Sequence, residues 1–211
     1  MPPERYMIPR FIAEPAQEPL PYGRWADTLR QRFLTACLDV DNDGEELGQA
    51  GDVVWYPERV WHGRTWIPAT CATERGLELF GCVSYARDAD GQAVDLRATA
   101  DVTSETAAAN PDWSLDLCEE VIGQWRATDG VAAAITLVWG TSLVGGGAIA
   151  TADLGEVTVD QCETLEDRFT LIAPDDYRGE WLSVGLYDRK GRQLARESLY
   201  DEDDEPSRDE G

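Results

Sequence analysis

The chain has 211 residues, of which 43% are apolar, and it carries 41 acidic against 18 basic side chains, for a formal charge of −23. This composition is typical of a folded protein, because disordered chains are poorer in aromatic and branched residues. The charge disfavours nucleic acid and anionic membranes as partners, since both attract clustered Lys and Arg. We therefore expect a soluble protein that binds neither.

Lys190 is the only lysine, so almost every base is an arginine. Three explanations of the acidity stay open at this stage. They are ordinary solubility with biased codon usage, adaptation to a salt-rich cytoplasm, and mimicry of nucleic acid by carboxylates. Adaptation to salt predicts that stability rises as salt is added, because salt relieves repulsion among surface charges.

The compartment is predicted from the cysteines and from the start of the chain. Five cysteines without a CxxC pair argue against a disulfide framework. Residues 1–5 lack the basic and apolar regions of a signal peptide. The uncharged stretch 131–150 has the length of a membrane span, but its glycines favour two buried strands joined by a turn. These features predict a cytoplasmic protein.

The first elements in chain order are an arm and a helix. Residues 1–23 hold six prolines, which remove backbone donors, so we expect an extended arm that packs on its own body or reaches a neighbour. Residues 24–38 place Trp25, Leu29, Phe33 and Cys37 at four-residue spacing. This spacing predicts an amphipathic helix.

Strand formers dominate from residue 53 onward. His62 and Gly63 suit the tight turn of one hairpin, and the segment 88–91 suits the turn of a second. The stretch 94–102 alternates apolar and polar residues, which indicates a strand with one buried face.

Residues 114–126 have the spacing of a second amphipathic helix. The apolar stripe comprises Leu115, Cys118, Val121, Ile122 and Trp125. Acidic residues lie at its start and Arg126 at its end, as the helix dipole favours. We therefore predict helix here.

The remainder, 131–200, is again predicted to be mostly strand. The predicted class is α+β, mainly β, with antiparallel hairpins in one or two sandwich-like sheets and two amphipathic helices, about 24–38 and 114–126. The body is 24–200, with two units at about 24–126 and 131–200 as an option. The segment 201–211 carries seven acids and one Arg, and we predict that this acidic tail is disordered.

The most motif-like segment is 39–44, which directly follows the first predicted helix. Asp39, Asp41 and Asp43, followed by Gly44, resemble the opening of an EF-hand loop, whose oxygens bind calcium. The loop departs from that pattern at its twelfth position, where Ala50 replaces the bidentate Glu. The alternatives are a degenerate calcium site, with calcium as its ligand, and an acidic turn at a helix exit.

Four aromatic residues, Trp55, Tyr56, Trp61 and Trp66, form the candidate binding site. They are expected either to stack on sugar rings or a partner protein, or to fill a small β core. No other cofactor is predicted.

Catalytic candidates are few. His62 is the only histidine and lies in a predicted turn, which favours an exposed and incidental residue. Paired carboxylates leave a small carboxylate-based hydrolase open. The leading hypothesis is a non-catalytic interaction or structural protein, in which a protein partner or self-association forms part of a larger assembly. A glycan- or calcium-binding module is the first alternative, and the hydrolase is the second.

Overall fold

The computed structural model of the chain describes residues 20–42, 44, 46–126, 130, 132–176 and 180–200. Within these ranges the chain forms one helix and twelve strands. In chain order the elements are α1 (Gly23–Cys37), β1 (Val54–Trp55), β2 (Arg59–Trp61), β3 (Arg64–Ala72), β4 (Glu78–Arg87), β5 (Ala93–Thr103), β6 (Leu115–Arg126), β7 (Ala132–Ser142), β8 (Ile149–Leu154), β9 (Val157–Glu163), β10 (Arg168–Asp175), β11 (Leu182–Tyr187) and β12 (Gln193–Ser198).

The strands form three antiparallel sheets. In the first sheet the order is β1-β3-β4-β5, and β2 also pairs with β3. The middle sheet has the order β10-β7-β6. The third sheet has the order β12-β11-β8-β9. The mainly-β class with antiparallel sheets is therefore confirmed.

The helix and the three sheets stack as four layers. One apolar cluster fills each of the three spaces between neighbouring layers. Leu29 and Phe33 of α1 pack with Ile67 and Val83 of the first sheet. Cys82, on the other face of the first sheet, belongs to a cluster shared with the middle sheet. The middle and third sheets share a further cluster. The middle sheet is consequently covered on both faces.

Helix α1 confirms the first predicted helix. Leu29, Phe33 and Cys37 are all buried, and Trp25 packs at the margin of the same cluster. In the described part of the chain, no helix is long and apolar enough to span a membrane.

The predicted hairpin turns are present. His62 and Gly63 both have positive φ, 50° and 71°, and join β2 to β3. Asp88 precedes the β4–β5 turn, where its carboxylate accepts the backbone N–H groups of Asp90 and Gln92 at 3.0 and 2.8 Å. Asp188 makes the same pair of bonds in the β11–β12 turn.

The second predicted helix is wrong. Residues 115–126 form β6, which pairs with β7 along its length. Cys118 and Ile122 face the first sheet, whereas Leu115 and Leu117 face the third. Burial on both faces removes the polar–apolar alternation by which a strand is recognised. The pairing register also shifts between Val121 and Gly123, so the apolar positions imitate a helical period.

A buried ion pair closes one edge of the middle sheet. The Nη2 of Arg59 on β2 donates to both carboxylate oxygens of Asp160 on β9, at 2.7 and 2.6 Å. The side chains are 6% and 7% exposed. Asp160 also accepts the N–H of Ile172 on β10 at 2.9 Å. All three sheets are therefore linked at this edge.

The division into units at about 24–126 and 131–200 stays a prediction, although pairing of β6 with β7 crosses that boundary. The segment 201–211 and most of the predicted arm, residues 1–19, lie outside the described residues.

Candidate functional site

A cleft of about 540 Å³ opens where edges of the three sheets meet. The first sheet contributes β4 and β5, the middle sheet contributes β6, and the end of β12 and Leu199 close the third side. The cleft therefore lies along the edge of the middle sheet opposite to the edge at β10. Its apolar lining includes Phe80, Trp113, Leu115 and Leu117.

Carboxylates dominate the polar lining of the cleft. They are Glu78, Asp101, Glu105, Asp116, Glu119 and Glu197. Among the described residues that line it, none is Lys, Arg or His. Like charges at close range repel, so this arrangement favours a positively charged occupant.

The first-sheet side of the cleft holds two interacting carboxyls. Burial, together with the charge of Asp116, raises the pKa of Glu78 to about 7. Burial also raises the pKa of Asp116. The environment of both carboxyls therefore disfavours their charged forms. A cation bound between them would stabilise those forms.

Glu119 lies on the opposite face of β6. Burial raises its pKa to about 7, and the charge of Asp175 adds to the effect. Its Oε2 atom is buried and makes no hydrogen bond with a described residue. Because a buried carboxylate oxygen without a partner is costly, this atom is a natural contact for a bound donor.

Asp175, beside Glu119, is already satisfied. It is 1% exposed and accepts hydrogen bonds from the N–H of Leu182 at 3.0 Å, the N–H of Asp176 at 2.8 Å and the hydroxyl of Tyr200. Burial and this carboxylate raise the pKa of Tyr200 well above its usual range. Asp175 consequently holds Tyr200, which follows the end of β12, and adds negative charge beside Glu119.

The four predicted aromatic residues do not form one surface. Trp55 faces α1, with its ring centroid 6.4 Å from that of Phe33. Tyr56, Trp61 and Trp66 belong to the cluster between the first and middle sheets. The hydroxyl of Tyr56 lies 3.2 Å from that of Thr141. None of the four is among the described residues that line the acidic cleft.

The predicted calcium loop is only partly described. Asp39 and Asp41 are exposed, and Asp43 lies outside the described residues. Ala50, at the twelfth position, forms an isolated β-bridge with Thr73 at the margin of the first sheet. Among the described residues there is no group of three or more His, Cys, Asp or Glu side chains arranged to hold a metal ion. Calcium binding stays a prediction.

His62 is exposed in its turn, and its ring centroid lies 4.4 Å from that of Trp61. The five cysteines are free thiols. Burial raises the pKa of Cys37 and of Cys162 to about 11, which leaves almost no thiolate at neutral pH. The acidic cleft therefore remains the best candidate for chemistry or binding.

A second groove has the opposite charge. It is lined by Tyr22, Trp25, Tyr85 and two arginines, Arg24 and Arg87. The guanidinium of Arg87 lies 5.2 Å from the ring centroid of Tyr85 and donates to its hydroxyl at 3.0 Å. Arg87 is thus held by its own neighbours, whereas no base stands among the described residues that line the acidic cleft.

Sequence reasoning missed the cleft. Asp116, Glu119 and Glu120 stand out in the sequence, but they suggest the start of a helix rather than the edge of a strand. Glu78 and Asp101 lie on the β4–β5 hairpin, whereas Glu197 lies on β12 of the third sheet, and only the packing of the sheets brings Glu197 to the same cleft.

The chain was compared with protein-family models, with curated proteins and with solved structures, and none of them matches it.

Proposed function

We propose that this is a non-catalytic interaction protein whose acidic cleft binds a positively charged segment of a partner protein. The observation that carries the proposal is a cleft lined by six carboxylates and by no base among the described residues. The half-buried apolar side chains beside them, Phe80, Trp113 and Leu117, would pack against the stems of Lys or Arg.

The pKa values of the cleft carboxyls support the binding of a cation. In the cleft, the pKa values of Glu78, Asp116 and Glu119 are all shifted upward. Because their charged forms are disfavoured in the free protein, a bound cation would stabilise these groups in the charged form.

The proposal is tested with a fluorescent peptide of alternating Arg and Thr, titrated into the full chain at pH 8 and low salt. The double variant Glu78→Gln with Glu119→Gln is expected to bind about tenfold more weakly or worse, since hydrogen bonds to charged groups contribute about 1.5–3 kcal/mol each. The double variant Glu74→Gln with Glu156→Gln is the matched control. It removes two exposed carboxylates outside the cleft and changes the net charge equally.

Failure of the peptide to bind would refute the proposal. An equal loss in both double variants would also refute it, because the attraction would then come from the overall charge and not from the cleft.

A further inference from the structure

The outer edge of β6 carries backbone groups that no strand pairs. Among the described strands, β6 pairs with β7 alone. The N–H of Leu143 donates to the carbonyl of Ser114 at 3.0 Å, one step beyond the first register pair of β6 and β7. Hydrogen-bonded and non-bonded pairs alternate in an antiparallel ladder. The backbone groups of Leu115, Leu117 and Glu119 must therefore point away from β7.

The bonding of β7 on its other side agrees with this parity. Ser142, which lies opposite Leu115, donates its N–H to the carbonyl of Asp167, at 2.7 Å. Its backbone is therefore turned toward β10 and away from β6. Leu115 is left facing the cleft, and the same parity applies to Leu117 and Glu119, which also line it.

The two edges of the middle sheet differ. At the β10 edge, the outward N–H of Ile172 is bound by the carboxylate of Asp160, which Arg59 neutralises. At the β6 edge, no described side chain or backbone group forms a hydrogen bond with the outward N–H and C=O groups of Leu115, Leu117 or Glu119. One edge is closed by an ion pair, and the other opens into the acidic cleft.

We propose that a basic, extended segment of a partner protein adds as a strand to the outer edge of β6. This inference rests on the proposed function and specifies how the cleft is used. Strand addition of this kind takes its affinity from main-chain hydrogen bonds and its specificity from alternate side chains.

The lining suits the side chains of such a strand. Successive side chains of a strand point to opposite faces. One set would meet Glu78 and Asp116 on the first-sheet side, and the other would meet Glu119 and Glu197 on the third-sheet side. Basic residues are therefore accommodated on both faces of the added strand.

A second copy of the chain is disfavoured as the occupant. Each copy carries a formal charge of −23, and two β6 edges would bring their carboxylates together. Acidic residues on an edge strand discourage such self-pairing. The same charges attract a basic strand.

The test uses the full chain and two N-methylated forms of the Arg/Thr peptide. One form is methylated at alternate amides and the other at every amide, so charge and side chains are unchanged. An added strand turns only alternate N–H groups toward β6, so methylation at every amide is expected to weaken binding about tenfold or more, and methylation at alternate amides far less. Hydrogen exchange at the amides of Leu115, Leu117 and Glu119 should slow when the unmodified peptide is saturating.

The outcomes separate the two proposals. If both methylated peptides bind as well as the parent, the strand inference fails while the proposed function stands. If no basic peptide binds, both fail. Protection of the three β6 amides that grows with protein concentration in the absence of peptide would identify a second copy as the occupant and overturn the inference.

Discussion

Glu78 and Glu119 are carboxyls that the fold holds in an unfavourable environment. Each has its pKa raised from an ordinary value of 4.5 to about 7, chiefly by burial. Between these two pH values the native state binds more protons than the unfolded state. The free energy of unfolding must therefore fall as pH rises through this window.

We expect urea denaturation to give stability that decreases steadily from about pH 5 to pH 8. The double variant Glu78→Gln with Glu119→Gln should have a flatter pH profile and be more stable than the parent at pH 8. A parent protein that becomes more stable toward pH 8 would contradict the assignment of buried, costly carboxyls.

The Arg59–Asp160 pair behaves differently, because each charge depends on the other. Replacing Arg59 with Met removes the partner of a carboxylate that is only 7% exposed. We expect Arg59→Met to lower the free energy of unfolding by about 3–5 kcal/mol, as is typical when one member of a buried pair is lost. Thermal denaturation of this variant provides the measurement.

The double variant Arg59→Met with Asp160→Asn supplies the comparison for this pair. It leaves no unpaired charge, and an amide oxygen is still present to accept the N–H of Ile172. We expect it to be more stable than Arg59→Met alone. If the two losses simply add, the pair does not act as a unit.

Strand β6 has an irregular pairing register beside a glycine that is packed tightly against a tryptophan. Its register shifts between Val121 and Gly123, and a Cβ built at Gly123 would lie 2.5 Å from Cη2 of Trp61. The indole of Trp61, on β2, therefore occupies the space that the side chain of any residue other than glycine would fill at position 123. This contact couples the first sheet to the bulge in the middle sheet.

Gly123→Ala is expected to destabilise the protein by about 1–3 kcal/mol, the usual cost of overpacking a core. Gly145→Ala is the control, because a Cβ there meets no atom within 4 Å. Equal stability of the two variants in chemical denaturation would show that Trp61 moves aside without a loss of stability, which would contradict the prediction.

The elements that could be predicted from the sequence are those defined by local signals. The stripe from Leu29 to Cys37 defines α1 without any knowledge of what it packs against. Asp88 and Asp188 define their turns because each carboxylate bonds the backbone next to it. Such signals act within a few residues, so the sequence displays them directly.

The prediction failed where tertiary packing decided. Strand β6 has apolar side chains on both faces because a sheet covers each of them, and its bulge shifts the pattern. The cleft needs Glu78, Asp116 and Glu197 from three different sheets. The sequence alone carries no signal that these three strands meet.

At the scale of the whole molecule, the excess of acidic residues sets the response to salt. Repulsion among charges that sum to −23 opposes the compact state and is screened as ions are added. We expect the melting temperature to rise from low salt to about 0.5 M sodium chloride, where the screening length falls to a few ångströms. A melting temperature that stays constant or falls as salt is added would exclude salt adaptation as the reason for the composition.

Peptide binding should have the opposite salt dependence. Screening weakens attraction between the cleft and a basic segment, so affinity is expected to fall over the same range in which stability rises. Parallel titrations and melts at each salt concentration provide the measurement. Affinity that is independent of salt would contradict an electrostatic cleft.

The order of strands in the middle sheet also governs when the protein can fold during synthesis. Its central strand, β7, pairs with β6 on one side and with β10 on the other, and β10 is translated only after the whole β8–β9 hairpin. When β7 has just left the ribosome, the edge of this apolar strand that will later pair with β10 is therefore exposed to the ribosome surface and to chaperones. Until Arg168–Asp175 emerges, both edges of the unfinished sheet are free, and this interval is when the chain is most vulnerable to mispairing.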